Sequence, residues 1–406
     1  MNKRRQLVWT LAAALLLGGC TTTVNVPEQE TEKEAVAENT QTVQPETTAQ
    51  EEIQPTETQE AEPLIQTVTL TATGDCTLGA TQTHGYAGSF HEYYDKYGQD
   101  YFFDDVRDIF EKDDFTLVNL ECVLTESTDR VEKTWNLKGK PEYVGIMTGS
   151  SVEGCSLGNN HTLDYGPQSL TDTENVLDQA GIVYGYNEHV ATYTTESGIV
   201  IGIVSANLLA QTQERANYIR DGIKKLREEG ADLVIACCHW GIEGDHYPND
   251  YQKTTAHQII DWGADAVIGN HPHVLQGVEL YEGKMICYSL GNFCFGGNRN
   301  PSDKDTVIAQ LTVSGTGEDR SWEMSYIPCC ISSVSNRNDY RPTPYPPDTA
   351  AYRRCFQKLD GTFRPPVPKP EEETAPLPPE PTLDAEPLSP LPDGGVICDP
   401  PAKPEE

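Results

Sequence analysis

Positive charge is what this chain has least of. Across 406 residues, 29 Lys and Arg face 63 Asp and Glu, for a formal net charge of -34. So acidic a chain offers no basic stripe to a phosphate backbone, which excludes nucleic acid as a partner. An anionic substrate would also be repelled unless a cation mediates. The sequence contains no Cys-x-x-Cys pair, no glycine-rich phosphate loop, no Gly-x-Ser-x-Gly elbow and no His-Glu-x-x-His run. These absences remove the common signatures of thiolate zinc sites, nucleotide loops, serine hydrolases and zincins. No internal repeat is visible. The apolar run Leu7–Leu17 is too short to span a bilayer.

That run has a different meaning. Lys3-Arg4-Arg5 precedes it and Gly18-Gly19-Cys20 follows, so residues 1–20 read as an export signal. Leu17-Gly18-Gly19-Cys20 resembles a bacterial lipoprotein signal, in which Cys20 becomes the acylated first residue; ordinary cleavage nearby is the alternative. Several acyl chains on one residue anchor stably, so the chain is expected on the extracellular face of the cell membrane, lipid-anchored or else secreted. Residues 21–66 are rich in Glu, with Lys33 the one basic residue and no aromatic, and read as a disordered acidic tether. From 365 to 406 Pro and Glu dominate, which predicts an extended, polyproline-like tail. Between these ends lies a body at 67–330, with an extension at 331–364 expected to pack on it. Of the 12 cysteines, setting Cys20 aside leaves an odd number, so at least one thiol is free or pairs between chains. Most sit in apolar runs as small buried hydrophobes.

Strand and helix patterns alternate through the body, so its class is α/β. A first strand is expected over Leu64–Thr73, ending on Gly74-Asp75. A helix is expected over Tyr101–Lys112, and further helices over Ser169–Ala180, Glu214–Glu229 and Tyr251–Trp262. Five apolar strands run directly into groups able to hold a metal: Asp75; Glu121; Asn160 with His161; His239; and His271 with His273. In open α/β sheets ligands gather at the carboxyl ends of strands, and seven such groups at five strand ends exceed coincidence. His271 and His273 flank Pro272, which should hold the pair extended, with both imidazoles on one side. Asp164, Glu243 and Asn292 read as braces that orient the histidines or satisfy loops. Carboxylates, imidazoles and one amide make a mixed O/N site suited to Mn, Fe or Zn. Seven groups are too many for one ion, so two divalent ions are expected.

Six segments together resemble a known family: Thr73-Gly74-Asp75, Asn119-Leu120-Glu121, Asn159 to Gly166, His239-Trp240-Gly241, His271-Pro272-His273-Val274 and Tyr288 to Phe293. From about Thr67 to Ile327 the chain resembles the CapA family of bacterial poly-γ-glutamate capsule proteins, similar in turn to the calcineurin-like metallophosphatases. The resemblance implies a β-sandwich flanked by helices and a role in capsule polymer synthesis or export. It would place Asp75 and His273 on one metal, and Asn160, His239 and His271 on the other. Glu121 would stand where the phosphatases have a bridging aspartate, and His161 would protonate the leaving group. Thr77 stands where those enzymes have a histidine, which weakens the first metal position. The implied partners are an anionic polymer or phosphoester substrate, the membrane through the lipid anchor, and other capsule-synthesis subunits. The competing expectation is a non-catalytic accessory lipoprotein that holds a polyanion or the cell wall.

Overall fold

The computed structural model describes residues 67–315 and 320–365. The signal segment with Cys20, the tether and the tail from 366 onward lie outside the described residues. In chain order the strands are β1 Thr67–Thr77, β2 Phe115–Leu120, β3 Val123–Leu124, β4 Lys138–Gly139, β5 Gly154–Ser156, β6 Val183–Gly185, β7 Ala191–Thr194 and β8 Val200–Asn207. They continue with β9 Leu233–His239, β10 Ala266–Asn270, β11 Val278–Tyr281, β12 Lys284–Cys287, β13 Asn292–Phe295, β14 Asp305–Ser314, β15 Ser321–Cys330 and β16 Thr343–Pro344. The helices are α1 Phe90–Tyr97, α2 Arg107–Phe110, α3 Val144–Thr148, α4 Gly166–Ala180, α5 Gln213–Glu228, α6 Asp250–Asp261 and α7 Ala350–Leu359.

Two sheets dominate. One runs β16-β15-β14-β1-β2-β5-β6, with β13 also on β1; the other runs β11-β12-β10-β9-β8-β7. β1, β2, β5 and β6 are mutually parallel, as are β12, β10, β9 and β8. Alternation along the strands builds the layers. In β9, Leu233, Ile235 and Cys237 join residues of the first sheet in the core between the sheets. Val234, Ala236 and Cys238 point the other way, onto Ile219, Ile223 and Leu226 of α5 and Ala256 and Ile259 of α6. The far face of the first sheet is covered by a core that includes Phe90 of α1, Phe110 of α2, Ile146 of α3 and Leu177 of α4. A strand buried on both faces reads as a continuous apolar run, and the result is a sandwich flanked by helices, as the sequence led us to expect.

Two local departures have physical causes. The first strand does not stop at Thr73 but continues through Asp75 to Thr77, with irregular register on both sides of Asp75. A Cβ on Gly74 would lie 2.0 Å from the carbonyl oxygen of Gly291, so the bare backbone lets the two segments touch. The helix expected over Tyr101–Lys112 shrinks to Arg107–Phe110, preceded by turns. There Asp104 and Asp105 are both held by Arg341, and Thr343 donates to Asp105, so tertiary partners override the helical spacing. The three longest helices keep their expected places within a few residues and gain sequence-readable ends, while α7 was not expected. Thr212 and Asn249 cap α5 and α6, and Gly181 closes α4 with φ 73°. All ten cysteines among the described residues are free thiols.

Candidate metal centre

The carboxyl ends of the parallel strands in both sheets meet at one place, which receives Asp75, Glu121, His239, His271 and His273. Asp75 is held by its backbone, whose N–H donates to Gly291 O at 2.8 Å. Its Oδ1 accepts from Asn119 Nδ2 at 2.8 Å, and its Oδ2 from the His271 N–H at 3.3 Å. His273 Nδ1 stands 3.0 Å from Oδ2 without the alignment of a hydrogen bond.

Glu121 follows β2 directly. Its N–H donates to Cys76 O at 2.8 Å, and Thr77 Oγ1 donates to its carbonyl at 3.1 Å. The carboxylate is wholly buried, yet neither oxygen has a hydrogen-bond partner among the described residues. Three imidazole nitrogens surround its Oε1: His273 Nε2 at 3.7 Å, His161 Nε2 at 3.8 Å and His239 Nε2 at 3.9 Å. These separations are too long for hydrogen bonds. Two ligands each about 2.1 Å from a shared ion, however, lie up to about 4.2 Å apart. An unpaired buried carboxylate is costly, and a cation among the imidazoles is what would satisfy it.

His271 and His273 converge by a different route from the one expected. β10 ends at Asn270, and the two histidines take left-handed backbone conformations, with φ 97° and 57°. The pair is therefore kinked, not extended, and strand alternation plays no part in its convergence. Such conformations are uncommon outside glycine and persist only where the surroundings impose them. Here Gly244 N–H donates to Pro272 O at 2.8 Å, Asn292 Nδ2 to His273 O at 3.1 Å and Ser289 Oγ to Val274 O at 2.7 Å. The His271 ring lies 4.7 Å from that of His239 and 5.8 Å from that of His273.

His239, at the end of β9, places Nε2 2.9 Å from Asn160 Oδ1 and leaves Nδ1 without a partner. His161 Nδ1 meets Asp164 Oδ2 at 2.7 Å, and Lys133 Nζ donates to Asp164 Oδ1 at 2.5 Å and to Asn160 O at 2.9 Å. Asp164 thus braces His161. Glu243 does not act in that way: it is exposed, and among the described residues no hydrogen bond joins it to a histidine. Asn292 lies in β13 and not in a turn, with its Nδ2 on the His273 carbonyl. Two overlapping sets of ligand atoms emerge, Glu121-His271-His273 and Asp75-Glu121-His239, each within 4.8 Å. Glu121 is common to both, whereas the family resemblance pairs Asp75 with His273.

Burial dominates the electrostatics. With the charge of Asp75, it pushes the Glu121 carboxyl well above the ordinary 4.5. Burial also drives His239 well below 6.5, takes His271 down to about 4 and lowers His161. It would lower His273 as well, but the Glu121 and Asp75 carboxylates outweigh it and take that imidazole up to about 9. Asp75 is likewise pushed up by burial, but His273 beside it more than offsets that and holds it below 3.8. Neutral imidazoles beside carboxylates are the ligand state a divalent cation takes up, and at His273 a cation would displace the proton. Burial puts the Cys237 thiol at about 12, and it faces the core between the sheets, so thiolate ligation has no support. Three contributors escaped the sequence reading. Asn119 and Asn159 stood inside quoted motifs, but nothing distinguished their side chains from capping groups; Asn159 Oδ1 in fact accepts from the His161 N–H at 2.9 Å. Lys133 carried no signal, because it comes from a turn-rich stretch.

Comparison with known proteins follows the same residues. Residues 69–297 match the family described as bacterial capsule synthesis protein PGA_cap. The chain is 31% identical over 241 residues to the PGA biosynthesis protein CapA of Bacillus subtilis, covering 54% of this chain and 63% of that one. It is 30% identical over 277 residues to the capsule biosynthesis protein CapA of Bacillus anthracis, covering 62% and 65%. The matched region therefore spans less than two thirds of the length of these relatives. Among solved structures, a hypothetical protein from Thermus thermophilus aligns with a TM-score of 0.40 at 15% identity, over 64% of this chain and 99% of that one. A 5'-nucleotidase from Candida albicans aligns with a TM-score of 0.38 at 12% identity, over 71% and 56%.

Proposed function

The chain belongs to the bacterial capsule synthesis protein PGA_cap family, and on that basis we propose that it serves capsule polymer synthesis or export through a metal-dependent, hydrolase-type centre. The observation that carries the centre is Glu121, a buried carboxylate with no hydrogen-bond partner, ringed by three imidazoles at 3.7–3.9 Å. Asp75, Glu121, Asn160, His239, His271 and His273 would hold one or two divalent ions, Mn, Fe or Zn by donor type. A bound ion would activate water and neutralise an anionic substrate in a chain that otherwise repels it. As the imidazolium, which Asp164 at Nδ1 favours against the burial that lowers it, His161 would donate the Nε2 proton to the leaving group and return to the neutral ring with Nδ1–H on Asp164. The substrate is a phosphoester or a γ-glutamyl amide of an anionic polymer. Other capsule-synthesis subunits act alongside, and Cys20 anchors the chain at the outer face of the membrane; the support for both is the sequence and the family.

Metal analysis of the purified full-length chain, combined with turnover of bis(4-nitrophenyl) phosphate, tests this reading. The expected result is one to two equivalents of metal and measurable cleavage. His161→Ala should keep the metal and lose about 10²–10⁴-fold in rate. A chain that takes up no metal from Mn, Fe or Zn solutions would sink the proposal. One observation favours a second, non-catalytic reading as a polymer-holding accessory: Thr77 stands where the phosphatases have a ligand, and its hydroxyl is engaged by the Glu121 carbonyl. On that reading the chain binds metal and polyglutamate but cleaves neither ester nor amide.

A further inference from the structure

A second concave feature lies apart from the residues of the histidine cluster. It holds about 1050 Å³ and is walled by the loop after β13, the segment 330–346, α7 and residues 363–365. In a chain of net charge -34 its lining is cationic: Lys304, Arg354, Lys358 and Arg364 face it, with Asp303 the one acid among the lining residues. Two of these cations are committed. Arg354 grips Asp305 through Nε and Nη2, both at 2.6 Å. Lys358 Nζ donates to Asp303 at 2.6 Å and to Asp305 at 2.7 Å.

The other two are not. Lys304 Nζ donates only to the carbonyls of Ser335 at 3.0 Å and Arg337 at 2.8 Å, leaving one of its three N–H groups. Arg364 uses Nη1 alone, on the carbonyls of Gly361 and Phe363 and on Tyr247 Oη. Its Nε/Nη2 edge, the fork that matches a carboxylate, has no partner among the described residues. No carboxylate among those residues pairs with either cation. Ser302, Ser335 and Thr343 add hydroxyls to the walls.

The cavity shares its loops with the histidine cluster. His246, which lines it, lies seven residues beyond His239, and its Nδ1 meets Leu275 O at 3.3 Å, just past His273. The wall at Asn300–Lys304 follows β13, whose Asn292 holds the His273 carbonyl.

We propose that this cavity binds successive carboxylates of an acidic polymer, with Lys304 and the free edge of Arg364 as the recognising groups. The choice of a polycarboxylate rests on the capsule-polymer reading above; the cationic lining does not. The test measures binding of a fluorescent γ-linked glutamate decamer to the full-length chain at low and high salt. Affinity should fall as salt rises, and Lys304→Gln with Arg364→Gln should weaken it about tenfold, two ion pairs' worth at a partly exposed site. Lys304→Arg keeps the charge and a free N–H donor and should stay within about threefold of the parent. Metal content should be unchanged in both. His239→Ala should lose metal while keeping decamer affinity, which separates the two sites. Decamer binding that fails in the parent, or that survives the Gln pair intact, overturns the proposal. So does displacement by polyphosphate at a lower concentration than polyglutamate, which would make this a phosphate site. If Gln-sensitive binding is found in a chain that takes up no metal, the hydrolytic centre falls and the cavity assignment stands.

Discussion

At the scale of single residues, Glu121 is the place where stability and function oppose each other. Its carboxylate is fully buried without a hydrogen-bond donor, a state that costs the metal-free fold. Glu121→Gln removes a carboxyl that burial and Asp75 make costly to ionise and should raise metal-free stability by about 1–3 kcal/mol in chemical denaturation. The same change should abolish the rise in Tm that added Mn or Zn gives the parent, since ligand binding stabilises by about 2.7 kcal/mol at a hundredfold excess over Kd. If the substitution instead destabilises the metal-free chain, the carboxylate is already paired there and the argument for a cation beside it fails. Gly74 shows the opposite kind of constraint. A methyl there meets Gly291 O at 2.0 Å, backbone against backbone, so Gly74→Ala should cost roughly 2–4 kcal/mol and lower metal uptake by displacing Asp75.

At the scale of elements, α6 sets the loop that leaves His239. Asn249 Oδ1 accepts from Gln252 N–H at 2.9 Å, and Gln252 Oε1 accepts from Asn249 N–H at 3.0 Å, closing a reciprocal cap. Gln252 Nε2 then donates to Gln276 Oε1 at 2.8 Å, and Gln276 Nε2 to Asp245 O at 2.8 Å. The cap therefore reaches both loops that carry metal-site histidines. Asn249→Ala should cost about 1 kcal/mol in urea midpoint analysis, the worth of a helix cap. Gln252→Ala should cost more, because it also leaves the buried Gln276 Oε1 without its donor. Equal losses in the two variants would show that the link to Gln276 contributes nothing. Much of this level was legible: the helices expected over Ser169–Ala180, Glu214–Glu229 and Tyr251–Trp262 stand within a few residues of those bounds. The helix expected near Tyr101 failed because its acids serve Arg341 and Thr343, distant in sequence, which no local period encodes.

For the whole molecule, α7 is fastened to β14 by a buried ionic network. Asp305 is about 1% exposed and Lys358 about 2%, with Arg354 completing the set. Burial alone would raise the Asp305 carboxyl, but hydrogen bonds from Arg354 and Lys358 outweigh it and hold it below 3.8. A carboxyl with a depressed folded pKa contributes stability that is fully present above its unfolded value and is lost as pH falls through the folded one. The network should therefore stabilise at neutral pH and fail only below about pH 4. Asp305→Asn should cost about 3–5 kcal/mol at pH 7, since it strands buried cations, and the difference from the parent should shrink toward pH 3. A penalty that does not change with pH would contradict this assignment.

The sequence by itself determined which side chains are of ligand type and roughly where they lie. Residue type fixes ligand character, apolar runs fix strands, and the carboxyl ends of strands gather polar groups, so Asp75, Glu121, Asn160, His239, His271 and His273 could be named in advance. Only the tertiary structure decided how they meet. The kink at His271 and His273 is imposed by Gly244, Asn292 and Ser289 from other segments, against the extended geometry that Pro272 favours locally. The service of Lys133 to Asp164, and the assembly of the cationic cavity from five separate stretches, likewise depend on contacts between positions far apart in the chain. Spacing and periodicity report only on neighbours, and packing between the two sheets sets the rest.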